Sequence, residues 1–203
     1  MTEVRSVATQ SPSVVVLGGP NGSGKSTVAP RLLRGSLKVD EFVNADTLAQ
    51  GLSAFRPEDV AIEAGRITLA RLDTLASQRR SFAFESTLAS QSLARRLVRL
   101  RGDGYTVHVV YLWLPHVELA IARVSERVRS GGHDVPVDVV RRRYERGRRN
   151  FFTLYRGLAD QWRVYDASSV DGPQLVAAGG TGGQTRIRLP RVWQAASEGY
   201  DDE

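Results

Sequence analysis

The sequence predicts an α/β fold, a mostly parallel sheet flanked by helices and carrying a helix–turn–helix lid. Two observations carry this. Short apolar, β-branched runs alternate along the chain with segments of helical period. The first of those runs empties into a glycine-rich turn that opens a helix. No internal repeat competes with the pattern, and short crossover connections place successive strands in one sheet.

Residues 14–17 are continuously apolar, as a strand buried on both faces requires. A helix follows over 25–34, with Pro30 inside it, where the ring removes a hydrogen bond and favours a kink. Residues 41–43 read as a second strand ending at Asn44-Ala45-Asp46. A long helix fits 57–78, with Pro57 in its first turn. Residues 81–84 form the third strand, closing on Glu85-Ser86-Thr87, and a basic amphipathic helix covers 91–101. The longest strand is expected over 106–114. Helices over 116–129 and 138–156 flank a polar link containing Gly131, Gly132 and His133. An inner strand spans 163–165. Signals weaken past Gly172, where 185–189 suits an edge strand and 198–203 an acidic tail.

At 203 residues and 41% hydrophobic, the chain suits one domain over 1–203, with a C-terminal segment, 172–203, of uncertain role. No run approaches the roughly 18 apolar residues of a membrane span, and residues 1–10 lack the apolar centre of a secretion signal. Cysteine is absent, which removes disulfides, thiolate zinc sites and thiol nucleophiles. The expected location is cytoplasmic.

The formal charge is +6, and of 28 basic residues only Lys25 and Lys38 are lysines. Nine arginines against four acids fall within 123–149. Such a surplus suits either nucleic acid or a local anion site.

The motifs favour the second. Gly19-Pro20-Asn21-Gly22-Ser23-Gly24-Lys25-Ser26 satisfies G-x-x-x-x-G-K-[ST] between a strand and a helix, and Thr27 continues it. This is a phosphate loop, so the expected fold is a P-loop NTPase, nucleotide-kinase-like, that binds a nucleoside triphosphate and either hydrolyses or transfers its phosphate. Backbone N–H groups cradle phosphate, Lys25 reaches the β- and γ-phosphates, and the Ser26 hydroxyl suits Mg²⁺. The long strand ends in Leu114-Pro115 without the acid that many motor ATPases carry, which weakens a motor reading. Asp46 and Glu85 with Thr87 are expected at the carboxyl edge of the sheet, where ligands bind. There Asp46 serves as a base for an acceptor hydroxyl or caps a following helix. Glu85 and Thr87 suit hydrogen bonds to a hydroxylated acceptor; the alternative is a helix cap by Ser86 or Thr87, just before Leu88. Arg123 and Arg127, four apart, share a helix face of the lid spanning about 123–149 and can neutralise a migrating phosphoryl. His133 is either a phosphate contact or a structural loop histidine.

Taken in chain order, GGPNGSGKST (18–27), FVNAD (42–46), FAFESTL (82–88), GYTVHVVYLWLP (104–115), RVSERVRSGGHDVP (123–136) and RRRYERGRRNF (141–151) resemble the zeta-toxin family of P-loop kinases in its compact form. The resemblance implies ATP- and Mg²⁺-dependent phosphorylation of a small acceptor, such as a sugar hydroxyl of UDP-N-acetylglucosamine, and control by an antitoxin. It implies Asp46 as general base, Lys25 and Ser26 as phosphate and Mg²⁺ contacts, Glu85 and Thr87 as acceptor contacts, and Arg123 and Arg127 as the phosphate clamp. Two other readings remain. One is a polynucleotide kinase or nucleic-acid-dependent ATPase using the basic 123–149 surface; it is disfavoured because only Tyr144, Phe151 and Phe152 lie near the cluster as stacking platforms. The other is a nucleotide-gated switch without transfer activity.

Overall fold

The computed structural model describes residues 11–132 and 134–200. The expectations for 1–10, for His133 and for the last three residues of the acidic tail lie outside the described residues.

Five strands run parallel. β1 (Ser13–Gly18) pairs with β3 (Phe82–Ser86) on one side and β4 (Thr106–Trp113) on the other. β2 (Glu41–Val43) lies outside β3, and β5 (Gln161–Asp166) outside β4. β6 (Gln174–Gly179) and β7 (Arg186–Ile187) extend the sheet antiparallel, in the order β2-β3-β1-β4-β5-β6-β7. The carboxyl ends of the five parallel strands share one edge, the edge at which α/β sheets bind ligands.

β1 is buried on both faces, and successive side chains alternate between two cores. Val14 and Val16 join Phe82, Leu72 and Leu97 beneath α3 (Ala61–Ser77) and α4 (Ser92–Gly102). Val15 and Leu17 join Ala29, Leu112, Val124 and Val140 beneath α1 (Lys25–Arg31), α5 (Val117–Arg129) and α6 (Val137–Asn150). α5 and α6 form the expected helix–turn–helix, but their bases belong to the core. Tyr144 donates its hydroxyl to the Leu114 carbonyl at 2.8 Å, and Arg141 pairs with Glu118 at 3.0 Å. At the tip, Ser130, Gly131 and Asp134 are exposed.

Several elements differ from expectation. α1 stops one residue past Pro30, and Leu32–Leu37 continues in wider i→i+5 turns, a way to absorb the missing proline N–H. β3 runs on through Glu85 and Ser86, so both belong to the strand end. The 57–78 helix starts as a 3-10 turn, Pro57–Val60. α2 (Ala45–Leu52) was expected only as a turn or helix of unspecified length; its apolar residues Ala45, Leu48, Ala49 and Leu52 share one face, with Ala49 buried and Leu48 packed on the core. The 138–156 helix divides into α6, a wide turn Phe151–Tyr155 and the short α7 (Arg156–Leu158).

β6 and α8 (Pro190–Ser197) were not foreseen. Trp193 of α8 stacks on Trp162 with ring centroids 5.7 Å apart and meets Phe152 at 5.6 Å. The Arg148 guanidinium donates to the carbonyls of Ala195, Ala196 and Glu198, satisfying the open end of α8. The segment past Gly172 therefore widens the sheet and closes a core.

Candidate active site

The loop after β1 turns sharply into α1. Gly22 and Gly24 sit at φ 77° and 81°, where a side chain is disfavoured, and a Cβ on Gly22 would lie 2.7 Å from the Ala120 carbonyl. Gly24 caps α1 without a side-chain acceptor, and no acid stands in the first turn. The helix start thus keeps donors and partial positive charge for an anion. Within the loop, Asn21 Oδ1 and Ser23 Oγ are buried without a partner among the described residues.

Lys25 is buried, and its Nζ donates to the carbonyls of Gly19 and Pro20, both at 2.9 Å. Burial is the largest influence on this amine and lowers its pKa; Glu85 and Asp46 raise it, and Arg127 and Arg143 lower it further.

Asn44 organises the opposite wall. Its Oδ1 accepts from the backbone N–H groups of Asp46 at 2.8 Å and Thr47 at 3.3 Å, capping α2. Its Nδ2 donates to Glu85 Oε1 at 3.0 Å and to Ser26 Oγ at 3.3 Å. The cap is therefore Asn44, not Asp46. The Ser26 hydroxyl also bonds the Glu85 carboxylate. Burial pushes the Glu85 carboxyl above its ordinary range, against the pull of Lys25 and those hydrogen bonds. The hydroxyl that turns the chain after β3 is Ser86, which accepts from the Leu88 N–H at 3.0 Å. α4 begins only at Ser92, so neither Ser86 nor Thr87 caps it.

One cavity of about 450 Å³ gathers these groups. Lys25, Ser26 and Thr27 line it from the loop, Asp46 from α2, Glu85 and Thr87 from the end of β3, and Arg123 and Arg127 from α5. Asn21, Gly22 and Gly24 line it too, whereas Gly19, Pro20 and Ser23 do not. Arg123 reaches the wall but is engaged elsewhere: its guanidinium donates to the carbonyls of Ala167 at 2.6 Å and Ser168 at 2.7 Å. Arg143 of α6 takes a place on the wall that the sequence had not assigned to it. Asn44 was the other omission, although its N-x-D spacing to Asp46 was in view.

The basic surplus is divided rather than pooled. Arg123 and Arg148 serve backbone carbonyls, while Arg129, Arg141 and Arg142 pair with Glu126, Glu118 and Asp138. Among the described residues no group of three or more His, Asp or Glu could hold a metal. Ser26, with Glu85 fixing its hydroxyl, offers the sparse oxygen set that suits Mg²⁺, an ion that keeps its waters and phosphate ligands.

A zeta-toxin family model matches residues 1–171. The chain belongs to the zeta-toxin family. This zeta-toxin chain is 33% identical over 126 residues to an uncharacterized protein of Haemophilus influenzae (strain ATCC 51907 / DSM 11121 / KW20 / Rd), which spans 62% of this chain and 88% of that protein. Its fold is similar to a chain of the AvrRxo1-ORF1:-ORF2 complex with ATP, at TM-score 0.70 and 18% identity over 92% of this chain and 63% of that one. It is also similar to a chain of the PezAT chromosomal toxin–antitoxin system of Streptococcus pneumoniae, at TM-score 0.64 and 14% identity over 96% and 82%. The zeta-toxin chain thus spans less than two thirds of its AvrRxo1 counterpart. Its fold is α/β of the P-loop kinase kind. No helix among the described residues is long and apolar enough to cross a membrane.

Proposed function

We propose that the protein is a cytoplasmic, ATP-dependent kinase that transfers the γ-phosphate to a hydroxyl of a small acceptor, a nucleotide sugar such as UDP-N-acetylglucosamine being the class that fits best. One observation carries this reading. Asn44 relieves Asp46 of capping, leaving a carboxylate on the wall of the cavity that holds the phosphate-loop lysine.

In the reaction, Lys25 turns from the loop carbonyls to the β- and γ-phosphates, and the loop N–H groups cradle them. The Ser26 hydroxyl would hold Mg²⁺, which would supply charge neutralisation at the phosphates. Glu85 keeps the Ser26 hydroxyl oriented and, with Thr87, meets the acceptor. Asp46 takes the acceptor proton as the new O–P bond forms and the bond to the β-phosphate oxygen breaks. Arg127 and Arg143 oppose charge on the migrating phosphoryl, while Arg123 holds the turn at Ala167 and Ser168. Family membership supports a protein partner of antitoxin type.

The test is incubation with Mg²⁺, γ-labelled ATP and a panel of nucleotide sugars, sugars, nucleosides and oligonucleotides, read by mass spectrometry. The expected result is a phosphate gained by one nucleotide sugar. Label released only as free phosphate contradicts the reading.

A further inference from the structure

The pattern G-x-x-x-x-G-K-[ST] binds phosphate through backbone N–H groups and demands nothing of the side chain at Asn21. Yet Asn21 is only 8% exposed, and it lines the active-site cavity together with Lys25. Its Oδ1 is sealed from solvent without a donor, and its Nδ2, the end that is not sealed, has no acceptor among the described residues. Ser23, Trp113 and Ser197 also bury a polar atom without a partner, but none of the three lines the cavity. A buried amide with both ends idle costs stability that an apolar residue of the same shape does not. Such an exception in the wall of a site points to a ligand that completes it.

The carboxamide stands on a fixed support. Gly22, the next residue, is packed so closely on α5 that a Cβ there would lie 2.7 Å from the Ala120 carbonyl and 3.1 Å from the Arg123 Cβ. Arg123 is itself tied to the carbonyls of Ala167 and Ser168. Lys25 Nζ rests on the carbonyls of Gly19 and Pro20, the two residues before Asn21. An ammonium carries three N–H groups, so one remains uncommitted among the described residues.

We infer that the Asn21 carboxamide bridges Lys25 and the γ-phosphate: Nδ2 donates to a γ-phosphate oxygen, and Oδ1 accepts the spare N–H of Lys25 as the lysine turns toward the nucleotide. One amide thereby holds the lysine against the phosphoryl group that is to move. Asparagine suits this place because it both donates and accepts; aspartate cannot donate, and an apolar residue does neither. The inference rests on the kinase reading and deepens it, because the bridge makes the loop select a triphosphate over a diphosphate.

The experiment is calorimetric titration of ADP, and separately of a non-hydrolysable ATP analogue, into the full chain with Mg²⁺, with melting temperatures taken without nucleotide. In Asn21→Leu the analogue binds about 10- to 100-fold more weakly, the loss of one charge-assisted hydrogen bond, while ADP affinity is unchanged. Asn21→Asp keeps the shape but sets a negative charge against the γ-phosphate, and weakens the analogue further. Without nucleotide, Asn21→Leu melts no lower than the wild type, because it removes an unsatisfied buried amide. The double variant Lys25→Met/Asn21→Leu loses no more analogue affinity than Lys25→Met alone, since the two groups act as one unit. Equal losses for ADP and the analogue, an unchanged analogue affinity, a lower melting temperature in Asn21→Leu, or additive losses in the double variant overturns the bridge. The kinase reading is tested separately by label transfer; absent transfer beside an Asn21-dependent preference for the triphosphate refutes that reading alone.

Discussion

Asn44 performs three tasks with one side chain, and the candidate chemistry depends on how they are divided. Its oxygen caps α2, and its amide fixes Glu85 and Ser26. Asn and Asp are equally good caps, so the string Asn44-Ala45-Asp46 placed a carboxylate at the sheet edge without revealing which residue would be spent on the helix. Glu85 yields a prediction at this scale. Its carboxyl is raised by burial above the ordinary 4.5. The folded state therefore holds this proton more tightly than the unfolded state. The stability so contributed is complete below the ordinary value and is lost as pH rises through the raised one. Melting temperatures measured from acid to neutral pH should fall for the wild type relative to Glu85→Gln across that window, while Glu85→Gln loses activity. Parallel melting curves for the two proteins would contradict the raised carboxyl.

At the scale of the element, α6 shows why a charge count misleads. The arginines within 123–149 read as one lid, yet Arg123 and Arg148 reach carbonyls 44 to 50 residues away. Local sequence carries no sign of such distant acceptors. The same limit hid β6 and α8. The run Leu175-Val176-Ala177-Ala178 is short and made largely of small residues, and α8 earns its place through Trp193 stacking on Trp162, a contact 31 positions away. What local pattern did reveal was the strand, loop and helix around Lys25, because those signals lie side by side. The fit of α6 against the turn after β3 makes the element's own prediction. Alanine favours a helix over glycine by about 1 kcal/mol, but at Gly147 its Cβ meets a backbone carbonyl that cannot step aside. Gly147→Ala should cost about 1–3 kcal/mol net, as overpacking does, and lower the melting temperature by a few degrees. An unchanged or higher melting temperature would show that α6 is free to move off the turn.

Across the whole molecule, strand order turns residues far apart in sequence into neighbours. β3 inserts between β2 and β1, so Asp46 after β2, Glu85 at the end of β3 and Lys25 after β1 arrive at one sheet edge. Helices from the opposite face bring Arg127 and Arg143 over it. The alternation of strands and helices was enough to foresee a parallel sheet and its ligand-binding edge. The antiparallel extension depended on packing across the fold. The central claim is that nucleotide holding and proton removal are separate tasks of this edge, the first belonging to the loop and the second to Asp46. Asp46→Asn keeps the shape and removes the base. Its affinity for Mg²⁺ with a non-hydrolysable ATP analogue, measured beside γ-phosphate transfer to the acceptor, tests that division directly. The account predicts transfer reduced by at least about 100-fold with nucleotide affinity preserved; undiminished transfer, or loss of nucleotide binding together with transfer, would contradict it.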